Sequence, residues 1–124
     1  MKYCKKSFFL AFLLLISFPS FSADFGTVKG SDNQVIELVR MNKLLPESPR
    51  QAVRYGIEGS VKVQFNVDTF GAVLDPFVVE SNPPGLFERA SIKAVRKLIY
   101  QPPVFEDEAV NVESVQVDIV FKLQ

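Results

Sequence analysis

The 124-residue chain contains no histidine and no tryptophan, and its single cysteine is Cys4. Without histidine, and with the thiol confined to the extreme N-terminus, His- or thiol-based nucleophilic catalysis is excluded, as are His/Cys metal sites. No glycine-rich phosphate loop follows a strand pattern. There is also no uninterrupted apolar run of the roughly 20 residues needed to cross a bilayer as a helix. Excess positive charge is missing too, since 14 basic residues face 14 acidic ones. A nucleic-acid partner, which requires clustered basic charge, is therefore not expected.

The first segment has the three parts of a secretory leader. Lys2, Lys5 and Lys6 form a positive n-region, residues 8–18 are almost unbroken apolar sequence, and Pro19-Ser20-Phe21-Ser22-Ala23 supplies small residues for cleavage. A cut after Ser22 places Ser20 and Ser22 at the two small-residue positions, whereas a cut after Ala23 would place Phe21 in one of them. Residues 1–22 are thus expected to be removed and to direct the chain to the periplasm. The alternative is an uncleaved anchor holding the protein on the periplasmic side of the inner membrane. Cys4 lies ahead of the apolar run, not after it as a lipid-modified cysteine would, and leaves with the leader. The mature chain then has 11 basic and 14 acidic residues, a net charge of about −3.

Beyond the leader, residues 24–32 are polar and glycine-containing and read as a flexible lead-in. Val35, Ile36, Leu38, Val39 and Met41 suggest a short helix or an extended patch, too brief for periodicity to decide. Residues 23–45 form the lead-in segment and residues 46–124 the domain. Ser48-Pro49-Arg50-Gln51 has the composition of a capping box, predicting a helix from Pro49 to about Tyr55 with Gly56 in its C-terminal turn. Val61, Val63, Phe65 and Val67 alternate with Lys62, Gln64 and Asn66, the pattern of a strand with one buried face. Asp68-Thr69-Phe70-Gly71 makes a turn, and a return strand runs over residues 72–81. Pro76 lies within that strand and cannot donate to a ladder, which places the strand at a sheet edge or requires a bulge there.

A second helix follows Asn82-Pro83-Pro84-Gly85. Phe87, Ala90, Ser91, Ala94, Val95 and Leu98 share one of its faces, and Arg89, Lys93, Arg96 and Lys97 mark the solvated side. Glu106-Asp107-Glu108 is an acidic loop. Its consecutive carboxylates point apart and lack the alternating spacing of calcium loops, so no metal is expected there. The last strand, residues 115–123, turns Val115, Val117, Ile119, Phe121 and Leu123 one way and Gln116, Asp118 and Lys122 the other, with Val120 an apolar exception on the outer side. Glu58, Asp68, Asp75 and Glu80 are the carboxylates available for acid–base work. Each sits where a turn or an exposed strand position already accounts for it, and the chain is not expected to be an enzyme or to carry a cofactor.

The segment Gly56-Ile57-Glu58-Gly59-Ser60-Val61-Lys62-Val63-Gln64-Phe65-Asn66-Val67 resembles the first hairpin strand of TonB C-terminal domains. The similarity continues through Gly71, residues 79–81, Phe87-Glu88-Arg89, Ala94, Tyr100-Gln101-Pro102 and residues 117–121, covering about residues 46–123. It implies a two-layer α+β fold in which two helices pack on a small antiparallel three-stranded sheet. Read physically, Phe65, Phe87 and Phe121 are the large residues able to join the layers, and Tyr100 can close the core while its hydroxyl reaches a loop carbonyl.

In the family, such a domain captures a short peptide at the periplasmic plug of an outer-membrane transporter by strand addition. The resemblance therefore implies a partner-binding edge on the last strand, formed by Gln116, Val117, Asp118, Ile119, Val120, Phe121 and Lys122. Asp118 and Lys122 are also the kind of charges that discourage unwanted edge pairing. The expected partner is an outer-membrane transporter or another periplasmic protein. A homodimer through the edge strand is the structural alternative, and an inner-membrane proton-channel complex enters only if the leader is uncleaved. The chain departs from TonB in having no histidine in its N-terminal segment and no long Pro-Lys and Glu-Pro rich spacer, and in carrying Ser48-Pro49 in place of Tyr-Pro.

Overall fold

The computed structural model describes residues 24–31 and 34–123. The leader expected over residues 1–22 lies outside them. Nine elements follow in order: β1 (Asp24–Val28), β2 (Val35–Leu38), α1 (Arg50–Tyr55), β3 (Gly59–Val67), β4 (Val73–Asn82), α2 (Glu88–Arg96), β5 (Val104–Phe105), β6 (Glu108–Ala109) and β7 (Val112–Phe121). The long strands form an antiparallel sheet in the order β2-β1-β7-β3-β4, while β5 and β6 pair as a separate small hairpin. The α+β class holds. The sheet has five strands because the lead-in, expected to be flexible over residues 24–32, supplies β1 and then β2.

Alternation drives the central ladder. On β3 the four apolar residues Val61, Val63, Phe65 and Val67 are buried, and opposite them β7 buries Val115, Val117, Ile119 and Phe121. Leu123, expected on the same face, lies beyond the end of the strand and is exposed. The helical layer closes this face. Phe87, Ser91, Ala94, Val95 and Leu98 of α2 and its flanks are buried, and the Phe87 ring stacks on Phe121 with centroids 4.5 Å apart. Phe65 meets Tyr100 at 6.0 Å. Burial of these side chains is the main stabilising term, since each large apolar residue contributes about 1.5–3 kcal/mol when removed from water.

α1 begins at Arg50, and neither Ser48 nor Gln51 makes the expected capping-box bond; Pro49 occupies the N-cap without a side-chain hydrogen bond. With only six residues and Ala52 alone buried, the helix is held by its contact with the core more than by its ends. Gly56 terminates it in the left-handed conformation, at φ 67°. Pro76 satisfies both expectations for it, because β4 is the outermost strand and its register with β3 shifts between Gln64 and Asn66. Asp75, at φ 48°, occupies that irregular stretch. At the β3–β4 turn the Asp68 carboxylate accepts the N–H groups of Phe70 and Ala72, each at 2.9 Å. Gly71, at φ +88°, is required twice over, since a Cβ there would overlap the Tyr100 carbonyl.

Candidate partner-binding edge

β7 does not lie at the margin of the sheet as the sequence suggested. It is the third of five strands, between β1 and β3. The two sides differ, however. β3 follows β7 from Val112 to Phe121, whereas β1 pairs only with Val112 and Glu113. The cause is a bulge: between Phe65 and Val67 of β3 the partner advances from Val115 to Val112, and Ser114 takes φ 59° with its N–H donating to Asn66 Oδ1 at 3.2 Å. The extra residue bends β7 where its pairing with β1 ends. Gly26 permits the close approach of β1 there, as a Cβ would collide with the Val112 and Val115 side chains. Among the described residues, no strand pairs with β7 beyond Glu113 on this side, leaving residues 115–121 with one ladder partner.

The expected site residues fall on two faces of this stretch. Val117, Ile119 and Phe121 are core residues, while Gln116, Asp118, Val120 and Lys122 point outward. On the outer face Gln116 donates to Gln64 Oε1 at 2.8 Å, and Lys62 stands in register between Asp118 and Glu80. Val120 is opposite Ser60. After the strand, Leu123 N–H donates to Glu58 Oε2 at 2.9 Å. Glu58, Asp68, Asp75 and Glu80 are thus dispersed over a strand end, a turn, a bulge and the sheet surface. Among the described residues no group of three or more His, Cys, Asp or Glu side chains is arranged to hold a metal, and no helix is long and apolar enough to cross a membrane.

The hydrogen-bonding centre of the domain is one that the sequence reading missed. Asp24 is buried, and its carboxylate accepts two bonds from Arg40, one of them from Nη2 at 2.9 Å, and one from the Tyr100 hydroxyl at 2.7 Å. The Tyr100 hydroxyl therefore reaches a carboxylate and not a loop carbonyl. Burial pushes the phenol far above its ordinary range, and its bond to Asp24 adds to that. Burial works against the Arg40 charge, but the hydrogen bond and attraction of Asp24 outweigh it and the pKa is raised. The three side chains tie β1 to the segment that follows β2 and to the segment after α2. Backbone bonds reinforce the tie: Met41 N–H donates to Ile99 O at 2.7 Å and Gln101 N–H to Val39 O at 2.8 Å. No local pattern in the lead-in signalled it, because Asp24 stands there with Asp32 and Glu37 and nothing in the sequence sets it apart.

On the other layer, Arg89, Lys93, Arg96 and Lys97 are exposed as expected. Arg89, Lys93 and Lys97, with Arg50 and Glu47, rim a cleft of about 350 Å³ between α2 and residues 45–50, floored by Leu86, Ala90 and Ala94. Glu88 at the start of α2 accepts the Gly85 N–H at 2.6 Å, and backbone hydrogen bonds hold its carboxyl below the ordinary range.

Residues 45–123 match the family model described as Gram-negative bacterial TonB protein C-terminal. The chain is 32% identical over 83 residues to Protein TonB of Yersinia enterocolitica, covering 67% of this chain and 30% of that protein. It is 38% identical over 79 residues to Protein TonB of Pseudomonas aeruginosa, covering 64% of this chain and 22% of that protein. Among solved structures, the P. aeruginosa TonB CTD determined by solution NMR superposes with a TM-score of 0.57 at 29% identity, covering 81% of this chain and 95% of the other. The TonB2 protein of Vibrio anguillarum superposes at 0.55 with 32% identity, covering 76% and 87%. The chain spans less than a third of the curated relatives it matches. By that match over most of its described length, the chain belongs to the TonB C-terminal domain family.

Proposed function

We propose that the domain is a periplasmic protein-binding module that captures an extended segment of an outer-membrane transporter, or of another envelope protein, by strand addition to β7, and so serves transport across the outer membrane. The observation that carries this reading is the length of β7 that β1 leaves unpaired. Strand addition needs a row of backbone N–H and C=O groups with alternating side chains beside it. Residues 115–121 offer a row of that kind, and Gln116, Asp118, Val120 and Lys122 supply the side chains that discriminate between partners. Membership of the TonB C-terminal family supports the choice of partner. Catalysis has no place in this reading.

Peptides from the periplasmic ends of outer-membrane transporters test it. Titration followed by NMR should shift the backbone resonances of residues 115–122 most. N-methylation of alternate peptide amides on the side facing β7 should abolish binding, and the same change on the opposite side should leave it intact. Shifts confined to Arg89, Lys93 and Arg96 would instead indicate an acidic partner on the helix face and overturn strand addition. Asp118→Ala should alter affinity only modestly. The leader belongs to the same reading: cleavage after Ser22 or Ala23 yields a soluble module, whereas an intact Met1 in washed inner membranes makes the protein an anchored transducer subunit. A concentration-dependent doubling of mass in solution would favour the structural dimer.

A further inference from the structure

The cleft beside α2 is built from two rows of the same period. Arg89, Lys93 and Lys97 recur every four residues, and so do Leu86, Ala90 and Ala94, so that each set runs along one side of the helix. The apolar row is the floor, with Ala94 buried and Leu86 and Ala90 half-buried. The cationic row is one bank, its three side chains exposed. The facing bank is the segment from Leu45 to Arg50, which adds a fourth cation and, in Glu47, the single carboxylate of the lining. Cations on the outer side of a helix need no explanation by themselves. A groove with an apolar floor beside them does.

These cations are not neutralised within the domain. Among the described residues the ion pair is that of Arg40 with Asp24, and Arg50, Arg89, Lys93 and Lys97 have no carboxylate partner. Glu88, adjacent to Arg89 in sequence, is bonded to the Gly85 N–H instead. The groove therefore presents four positive charges and one negative in a chain that has as many acidic as basic residues. Its complement is an anion, and the spacing of the cations selects the form of that anion. Four helical residues rise about 6 Å, and alternate residues of an extended chain lie about 6.6 Å apart on one side. Carboxylates at three alternate positions of an extended segment span about 13 Å, against about 12 Å from Arg89 to Lys97. The short side chains of Ala90 and Ala94 leave depth for the segment's backbone.

We infer that this groove is a binding site for an extended acidic segment of a partner protein, its alternate carboxylates paired with Arg89, Lys93 and Lys97 and Arg50 adding charge from the facing bank. The site lies on the helical layer and needs nothing of β7, so it stands or falls apart from strand addition. A bilayer is a poorer occupant, because lipid binding needs apolar side chains that project, and of the apolar lining residues Leu45 alone is strongly exposed, at 72%. The acidic hairpin of a second copy is poorer too. Its Glu106 and Asp107 take φ 53° and 65° and form a turn, not an alternating row.

Two peptides of one composition test the site on the full chain, purified as cells process it. In Glu-Ala-Glu-Ala-Glu-Ala-Ala the carboxylates share one side when the peptide is extended, and in Glu-Ala-Ala-Glu-Ala-Ala-Glu they do not. Both are capped, labelled with a fluorophore and titrated by anisotropy at low salt. The alternating peptide should bind about tenfold tighter, from about two- to fivefold for each ion pair brought into register. Lys93→Gln should weaken it about two- to fivefold. Arg96→Gln, on the same helix but outside the groove, should leave it nearly unchanged. Ala90→Leu keeps every charge and fills the floor, and should abolish binding by a domain that circular dichroism shows to be folded. In NMR the shifts should fall on residues 45–50 and 86–97 and spare residues 115–121. Equal affinity for the two peptides, or equal losses from Lys93→Gln and Arg96→Gln, would overturn the proposal in favour of diffuse charge attraction. Phosphatidylglycerol vesicles that bind through Lys93 while the peptide does not would overturn it in favour of lipid. A doubling of mass in solution that Lys93→Glu abolishes would overturn it in favour of a second copy.

Discussion

Replacing Asp24 by alanine isolates the contribution of the lead-in to the domain. The wild-type carboxylate is buried and accepts hydrogen bonds from Arg40 Nε and Nη2 and from the Tyr100 hydroxyl. Alanine leaves a buried hydroxyl without an acceptor, which costs about 1–3 kcal/mol. It also leaves a guanidinium whose partner is gone, and breaking a buried ion pair from one side costs about 3–5 kcal/mol. The Arg40 side chain keeps 18% of its surface in solvent and recovers some hydration. The combined loss is therefore expected near about 3–4 kcal/mol, a large share of the roughly 5–15 kcal/mol that stabilises a domain. Urea unfolding followed by circular dichroism measures it. Hydrogen exchange separates two routes: global loss lowers the midpoint, whereas release of β1 and β2 alone raises exchange at residues 25–28 and 35–38 with the midpoint nearly unchanged. Neither a midpoint shift nor faster exchange would refute the argument that these three side chains fasten the lead-in to the sheet. An Asp24→Ala/Arg40→Ala cycle should show coupling between the two sites.

Three other perturbations have equally definite outcomes. Phe87→Ala and Phe121→Ala should each destabilise by about 3–5 kcal/mol, with the double mutant costing less than the total of the singles because the rings stack on one another; unchanged urea midpoints would mean that the buried face is misassigned. Gly71→Ala should destabilise by more than about 1 kcal/mol, since the residue sits at φ +88° and its Cβ meets the Tyr100 carbonyl; a neutral effect in thermal unfolding would rule out that contact. Tyr100 has its pKa raised by folding, so its contribution is fully present below the unfolded value near 10 and is lost as pH climbs above it; Tyr100→Phe should lower stability at pH 8 and flatten the decline between pH 10 and 11, and an unaltered alkaline slope would contradict the assignment.

Legibility differed from element to element for physical reasons. The alternation on β3 and the α2 face were readable because burial of one side imposes periods of 2 and 3.6 on local sequence. Pro76 announced its edge and bulge because a missing N–H has few places to go. The capping box failed because a six-residue helix pressed on a core draws little from its N-cap, so composition at Ser48 and Gln51 carried no geometric demand. Gly59 makes room for the Phe87 ring by its lack of a side chain, a contact between residues 28 apart that no local pattern contains.

Sequence alone determined the central hairpin and the basic helix side, because each depends on residue type or short-range periodicity, and its resemblance to a known family carried the α+β class. Only the tertiary structure decided that the lead-in is part of the sheet, that Asp24 joins Arg40 and Tyr100, and that β7 pairs with β3 along its length but with β1 only at Val112 and Glu113. These depend on which segments meet across 16 to 76 residues of chain. A polar residue such as Asp24 looks the same in sequence whether it is solvated or buried, and its meaning is set by the partners that folding brings to it.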